Sequence, residues 1–218
     1  MPSQRKRLER EREARRRRRR TLGAAGAGVA IVFAAAVGAS WLSGGPARPG
    51  VSETRPVEVA GTPLPVHTAD PDAAIGMSAP SLVGRSFDGT EVRIGSGGSP
   101  MAIWFLAHWC PHCQAEVPKI VDLLADGAIP SGVDLYSVST GADRGAANYP
   151  PSAWLEREGW TIPVLADEGS GAAATSFGLD AFPFLVLVDG NGRVVSRTTG
   201  ELDPAAITGM LEDLTRSG

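Results

Sequence analysis

Cysteine is nearly absent from this chain. Two occur in 218 residues, Cys110 and Cys113, with only Pro111 and His112 between them. So small a supply argues against a disulfide-stapled scaffold. A staple between such near neighbours would gain only roughly 2 kcal/mol of chain entropy. Histidine is almost as sparse, at three residues. A structural zinc site usually wants two separated ligand pairs. His67 lies in a distant proline-rich stretch, and His108 and His112 crowd the turn that holds the cysteines. No bound cofactor or metal is therefore expected. Redox exchange is the leading reading of the pair, with copper carriage a weaker alternative.

Charge is absent from Leu22 to Leu42, "LGAAGAGVAIVFAAAVGASWL". As a helix this span would be roughly 31 Å long, about one bilayer core. Met1 to Arg20 holds 11 basic and 3 acidic residues, while the rest of the chain holds 10 and 21. Arginines beside an apolar span hold that end in the cytoplasm. The expected organisation is a basic cytoplasmic segment over 1–21 and a signal-anchor transmembrane helix over 22–42. Everything after it is then extracytoplasmic. Secretion after cleavage near Val37-Gly38-Ala39 is the alternative. A nucleic-acid-binding arm is the other use of a basic head, and the apolar span that follows argues against it.

Residues 43–75 are rich in proline, carry few aliphatic residues and show no periodicity, which predicts a disordered linker. The folded domain is expected over 76–218. There "EVRI" at 91–94 and the apolar run "MAIWFL" at 101–106 read as strands, the second buried. A helix follows from Pro111 to Leu124 with Pro118 inside it. "VDLYSVST" is a further strand, and "PPSAWLERE" a helix begun by prolines. "IPVLAD" is extended, and "SGAAATSFG" a short helix closed by Gly178. "FLVLVD" and "RVVSRTT" flank Asp189-Gly190-Asn191-Gly192, a hairpin signal. "DPAAITGMLEDLTR" is a last helix with Asp203 as its cap. Alternating strands and helices followed by a hairpin predict an α/β fold: a mixed central sheet with helices on both faces.

This order places Cys110 where a buried strand turns into a helix. Unpaired N–H groups and the positive end of the helix dipole favour a thiolate there. Cys113 falls one turn later, inside the helix and less exposed. One sulfur is placed to attack and the other to resolve.

The domain resembles the thioredoxin-like disulfide oxidoreductases of the membrane-anchored TlpA/ResA-like type. Three segments carry the resemblance: "GMSAPSLVGRSFDGTEVRI", "WFLAHWCPHCQAEVP" and "AFPFLVLVDGNGRVVSRTTG". It implies a thioredoxin-like three-layer fold, Cys110 as nucleophile and Cys113 as resolving thiol. It also implies a proton-transfer role for Glu116 and a cis-proline at Pro183 facing the cysteines. Phe182 stands where the family often has a smaller residue, and Trp109 is expected to border the same substrate groove. Trp104 replaces the buried acid that thioredoxin carries six residues before its first cysteine.

The Pro111-His112 dipeptide matches the C-P-H-C motif of strongly oxidising DsbA-type enzymes. A hydrogen bond or charge from His112 would stabilise the reduced form, with His108 adding a little positive field. The expected activity is disulfide exchange with extracytoplasmic protein thiols or disulfides, leaning oxidising, by a monomer that a membrane redox partner recycles. The alternative is a reductant serving cytochrome c maturation, as the family resemblance implies. A thiol peroxidase would want a threonine where Ala107 stands. A non-catalytic tethered binding module is the remaining alternative.

Overall fold

The computed structural model describes residues 50–68, 70–95 and 98–217. The basic segment 1–21 and the expected membrane span 22–42 lie outside the described residues. Among the described residues no helix is long and apolar enough to cross a membrane.

The apolar run at 101–106 becomes the central strand, β4 (Met101–Leu106), with every residue buried. It pairs in parallel with β5 (Asp134–Ser139) and antiparallel with β7 (Phe184–Val188). β6 (Val164–Ala166) continues the parallel half, and β8 (Val194–Thr199) the antiparallel half. The order is β6-β5-β4-β7-β8, a mixed sheet. Side chains alternate across it. Ala102, Trp104 and Leu106 join a core with α1 (Pro111–Ala125), α2 (Pro151–Glu158) and α4 (Pro204–Ser217), through Val117, Ile120, Trp154, Leu155, Ile207 and Leu211. Met101, Ile103 and Phe105 join the opposite core.

Helices lie on both faces as expected, but the opposite face is covered mainly by a second sheet. Among the described residues it carries the five-residue α3 (Ala172–Ser176) and a three-stranded antiparallel sheet of β1 (Glu58–Ala60), β2 (Ser81–Arg85) and β3 (Glu91–Ile94). Leu82, Val92 and Ile94 are the buried positions of β2 and β3, alternating with more exposed ones as a one-sided sheet requires.

The local punctuation holds. Asp203 Oδ1 accepts the Ala206 N–H at 2.8 Å and caps α4. Asp189 Oδ1 accepts N–H bonds from Asn191 and Arg193, which closes the β7–β8 hairpin.

The proline-rich segment is a correction. From Gly50 onward it is not a disordered linker but part of the same compact unit as the residues after 76. β1 pairs with β2, with Val59 opposite Leu82. The Leu64 and His67 N–H groups donate to Ser176 and Gly178 carbonyls. Arg197 of β8 is buried; it pairs with Asp72 and donates to the Pro65 carbonyl at 2.8 Å. Glu53 accepts both the backbone N–H and the hydroxyl of Ser152, capping α2, whose own Pro150 has no side-chain donor or acceptor for that purpose. Backbone pairing and ion pairs, rather than apolar periodicity, order this strap.

Candidate active site

The site forms where β4 ends. Ala107, His108 and Trp109 turn the chain, and the Cys110 N–H donates to the Ala107 carbonyl at 3.0 Å. Cys110 is the N-cap of α1, with extended φ −75° and ψ 120°. Its carbonyl accepts the first helical N–H, from Gln114. Pro111 fills the first helical position, where no N–H is needed. Cys113 follows one turn later. Both sulfurs are free thiols, unequally placed: Cys110 keeps 6% of its surface exposed and Cys113 none. Burial pushes the Cys113 thiol well up, and the neighbouring Cys110 and Glu116 add to that.

The expected groove residues converge on Cys110. The Phe182–Pro183 peptide is cis, and the Phe182 carbonyl lies 3.7 Å from Cys110 Sγ. The Pro183 carbonyl accepts the Gly200 N–H at 2.9 Å, tying this corner to the end of β8. Trp109 is partly exposed and meets the Phe182 ring edge to face, with centroids 5.5 Å apart. Its indole N–H donates to Gly141 at 2.8 Å. Beneath them Trp104 is fully buried, its indole N–H without an acceptor.

Glu116 is 1% exposed on α1, one turn beyond Cys113. Burial pushes its carboxyl up to about 7, and the Glu201 carboxylate adds to that. The Leu202 N–H, donating to Glu116 Oε1 at 2.9 Å, and Lys119 oppose the rise.

The histidines sit otherwise than the motif suggests. His108 is buried, with Nδ1 2.7 Å from the Ala147 carbonyl and Nε2 accepting the Asp143 N–H. Donation at one nitrogen and acceptance at the other is the pattern of a neutral ring holding the 143–147 loop. It therefore supplies no positive field to Cys110. His112 faces Glu201, Nδ1 to Oε2 at 3.4 Å. Glu201 also pairs with Lys119. Sequence reasoning missed Glu201, Lys119, Leu202 and Gly141. The helical spacing of 112, 116 and 119 was a usable signal, but nothing local to Glu201 announced its position.

The Redoxin family model matches residues 74–214. The chain belongs to the Redoxin family. Over 136 residues this Redoxin chain is 31% identical to the thiol:disulfide interchange protein DsbE homolog of Paracoccus denitrificans, covering 61% of the chain and 70% of that relative. It is 27% identical over 142 residues to the thiol-disulfide oxidoreductase ResA of Geobacillus thermodenitrificans, covering 65% and 78%. Among solved structures it resembles MTB dsbF in its mixed oxidized and reduced forms, with TM-score 0.50, 25% identity, and coverage of 61% of this chain and 93% of that one. The chain is thus a thiol-disulfide oxidoreductase. The match begins at Ala74, so the strap before it lies outside the family segment although it belongs to the same compact unit.

Proposed function

We propose that this protein exchanges disulfides with extracytoplasmic protein thiols through Cys110 and Cys113, running in the oxidising direction. The observation that carries the reading is the unequal placement of the two sulfurs: Cys110 at the mouth of α1 beside the Phe182 carbonyl, Cys113 sealed beneath.

In the oxidised enzyme a substrate thiolate attacks Cys110 Sγ. The Cys110–Cys113 bond breaks, a mixed disulfide forms beside Pro183, and Cys113 leaves with the electron pair. Its raised pKa means that it takes up a proton. Glu116, with a pKa of about 7 and one turn away, serves as the donor. A second substrate thiolate then attacks the substrate sulfur, and Cys110 departs reduced. The substrate gains one disulfide and the enzyme is left a dithiol. A membrane redox partner takes those two electrons away. The Trp109–Phe182 pair and the backbone at Pro183 form the docking surface. The basic head and apolar span of residues 1–42 support a membrane-anchored protein with this domain outside the cytoplasm.

Redox titration of the full-length protein against glutathione tests the direction. A potential near that of thioredoxin, about −270 mV, would reverse it; a value well toward that of DsbA, about −120 mV, supports it. The second reading is the reductant. It is favoured by the position of His112, whose ring faces Glu201, and by the likeness to a ResA. A Cys113→Ser variant should accumulate mixed disulfides with its clients; a variant that traps none would refute exchange at Cys110.

A further inference from the structure

α1 presents three titratable side chains along one stripe. His112, Glu116 and Lys119 stand four and then three residues apart, the spacing that stacks side chains on one helical face. One loop, between β8 and α4, meets all three. Glu201 pairs with Lys119 through Oε1 and faces His112 Nδ1 through Oε2 at 3.4 Å. The next residue, Leu202, gives its N–H to Glu116. The residue before, Gly200, gives its N–H to the Pro183 carbonyl. Three successive residues thus touch the corner facing Cys110, the histidine between the cysteines and the buried acid beyond them.

A cation beside the nucleophilic sulfur stabilises its thiolate, and hence the reduced pair. A carboxylate on that same cation opposes the effect. Glu201 is held below the usual carboxylate range by Lys119 and His112, so it is charged at neutral pH. Given that the cysteines exchange disulfides as proposed above, we infer that Glu201 is a positioning residue that sets the redox potential of the Cys110–Cys113 pair by holding the His112 ring and placing a carboxylate against it. Lys119 holds the other oxygen of the carboxylate and keeps it on this stripe. The C-P-H-C sequence is therefore a stronger oxidant on paper than in this fold.

The test is a double-mutant cycle on the full-length protein: wild type, Glu201→Gln, His112→Ala and the double variant. Each is equilibrated with glutathione at pH 7, where the protein dithiol and glutathione disulfide yield the protein disulfide and two glutathione thiols. The reduced fraction is read by alkylation and mass shift. Glu201→Gln should favour the reduced protein by roughly tenfold, or about 30 mV in the oxidising direction. In the His112→Ala background the same change should move the equilibrium by less than about threefold. No shift, a shift of opposite sign, or an equal shift in both backgrounds overturns the inference. A wild-type protein that does not equilibrate with glutathione at all overturns the exchange reading itself. Exchange with a silent Glu201 overturns only the inference. His112 and Glu201 both reach solvent, so the variants keep the fold.

Discussion

Glu116 keeps its proton to about pH 7 in the folded chain, against an ordinary 4.5. Below pH 4.5 the carboxyl is neutral in both folded and unfolded states and costs nothing. Between 4.5 and 7 the unfolded chain releases the proton while the native state holds it, so stability falls as pH rises. Above 7 the loss is complete, about 3–4 kcal/mol at roughly 1.4 kcal/mol per pH unit. Glu116→Gln can still accept the Leu202 N–H and carries no charge. Its urea midpoint should therefore change little between pH 5 and pH 8, while that of the wild type drops. Parallel curves for the two proteins would remove the buried charge as the cause. In the proposed exchange step the same substitution removes the proton donor. The rate of disulfide transfer to a fixed concentration of substrate thiol should fall by roughly tenfold or more, general acid–base help being worth 10²–10⁴-fold at full effect. Of these residue-scale facts, the cysteine placement was legible in advance, because a strand-to-helix junction is a local pattern. The company kept by His112 was not, because Glu201 lies 89 positions further along the chain.

At the scale of elements, the strap from residue 50 to 74 supplies one member of a buried ion pair. Arg197 is buried on β8, and Asp72 holds it. The pair keeps Asp72 below the usual carboxylate range. Removing one member of a buried pair leaves the other uncompensated, at about 3–5 kcal/mol. Asp72→Ala should lose that much in urea unfolding; a loss below about 1 kcal/mol would show that the strap detaches easily. Gly178 stands at the same crossing with φ +70°, and a Cβ there would lie 2.1 Å from the Pro65 carbonyl. Its sequence reading as a helix terminator was right, but the strap that passes over it is a second reason for glycine. Glu53→Ala, removing the cap lent to α2, should cost about 1 kcal/mol. The proline content of the strap concealed all this. Few apolar side chains were available to reveal burial, and the strap is ordered by carbonyls and carboxylates whose partners lie far away in sequence.

At the scale of the molecule, the Redoxin segment begins at Ala74 but the compact unit already includes the residues from Gly50. A chain started at Ala74 would expose the edge of β2 that β1 covers, and leave Arg197 buried without Asp72. Such an edge invites pairing with other chains. That truncation should unfold at lower urea than a chain started at Arg48 and should aggregate on concentration. Equal midpoints and equal solubility would mean the family segment is sufficient alone. By itself the sequence determined the order of strands and helices from Glu91 onward, the hairpin at 189–192, the cap at Asp203 and the seat of both cysteines at the start of α1. Each of these follows from periodicity or capping within a few residues. Only the tertiary structure decided that the strap closes the second face, that His108 is occupied by a loop, and that Glu201 stands between His112 and Lys119. Those outcomes depend on which distant polar groups meet once the sheet has formed, and a buried or half-buried charge takes whatever partner the chain crossing brings to it.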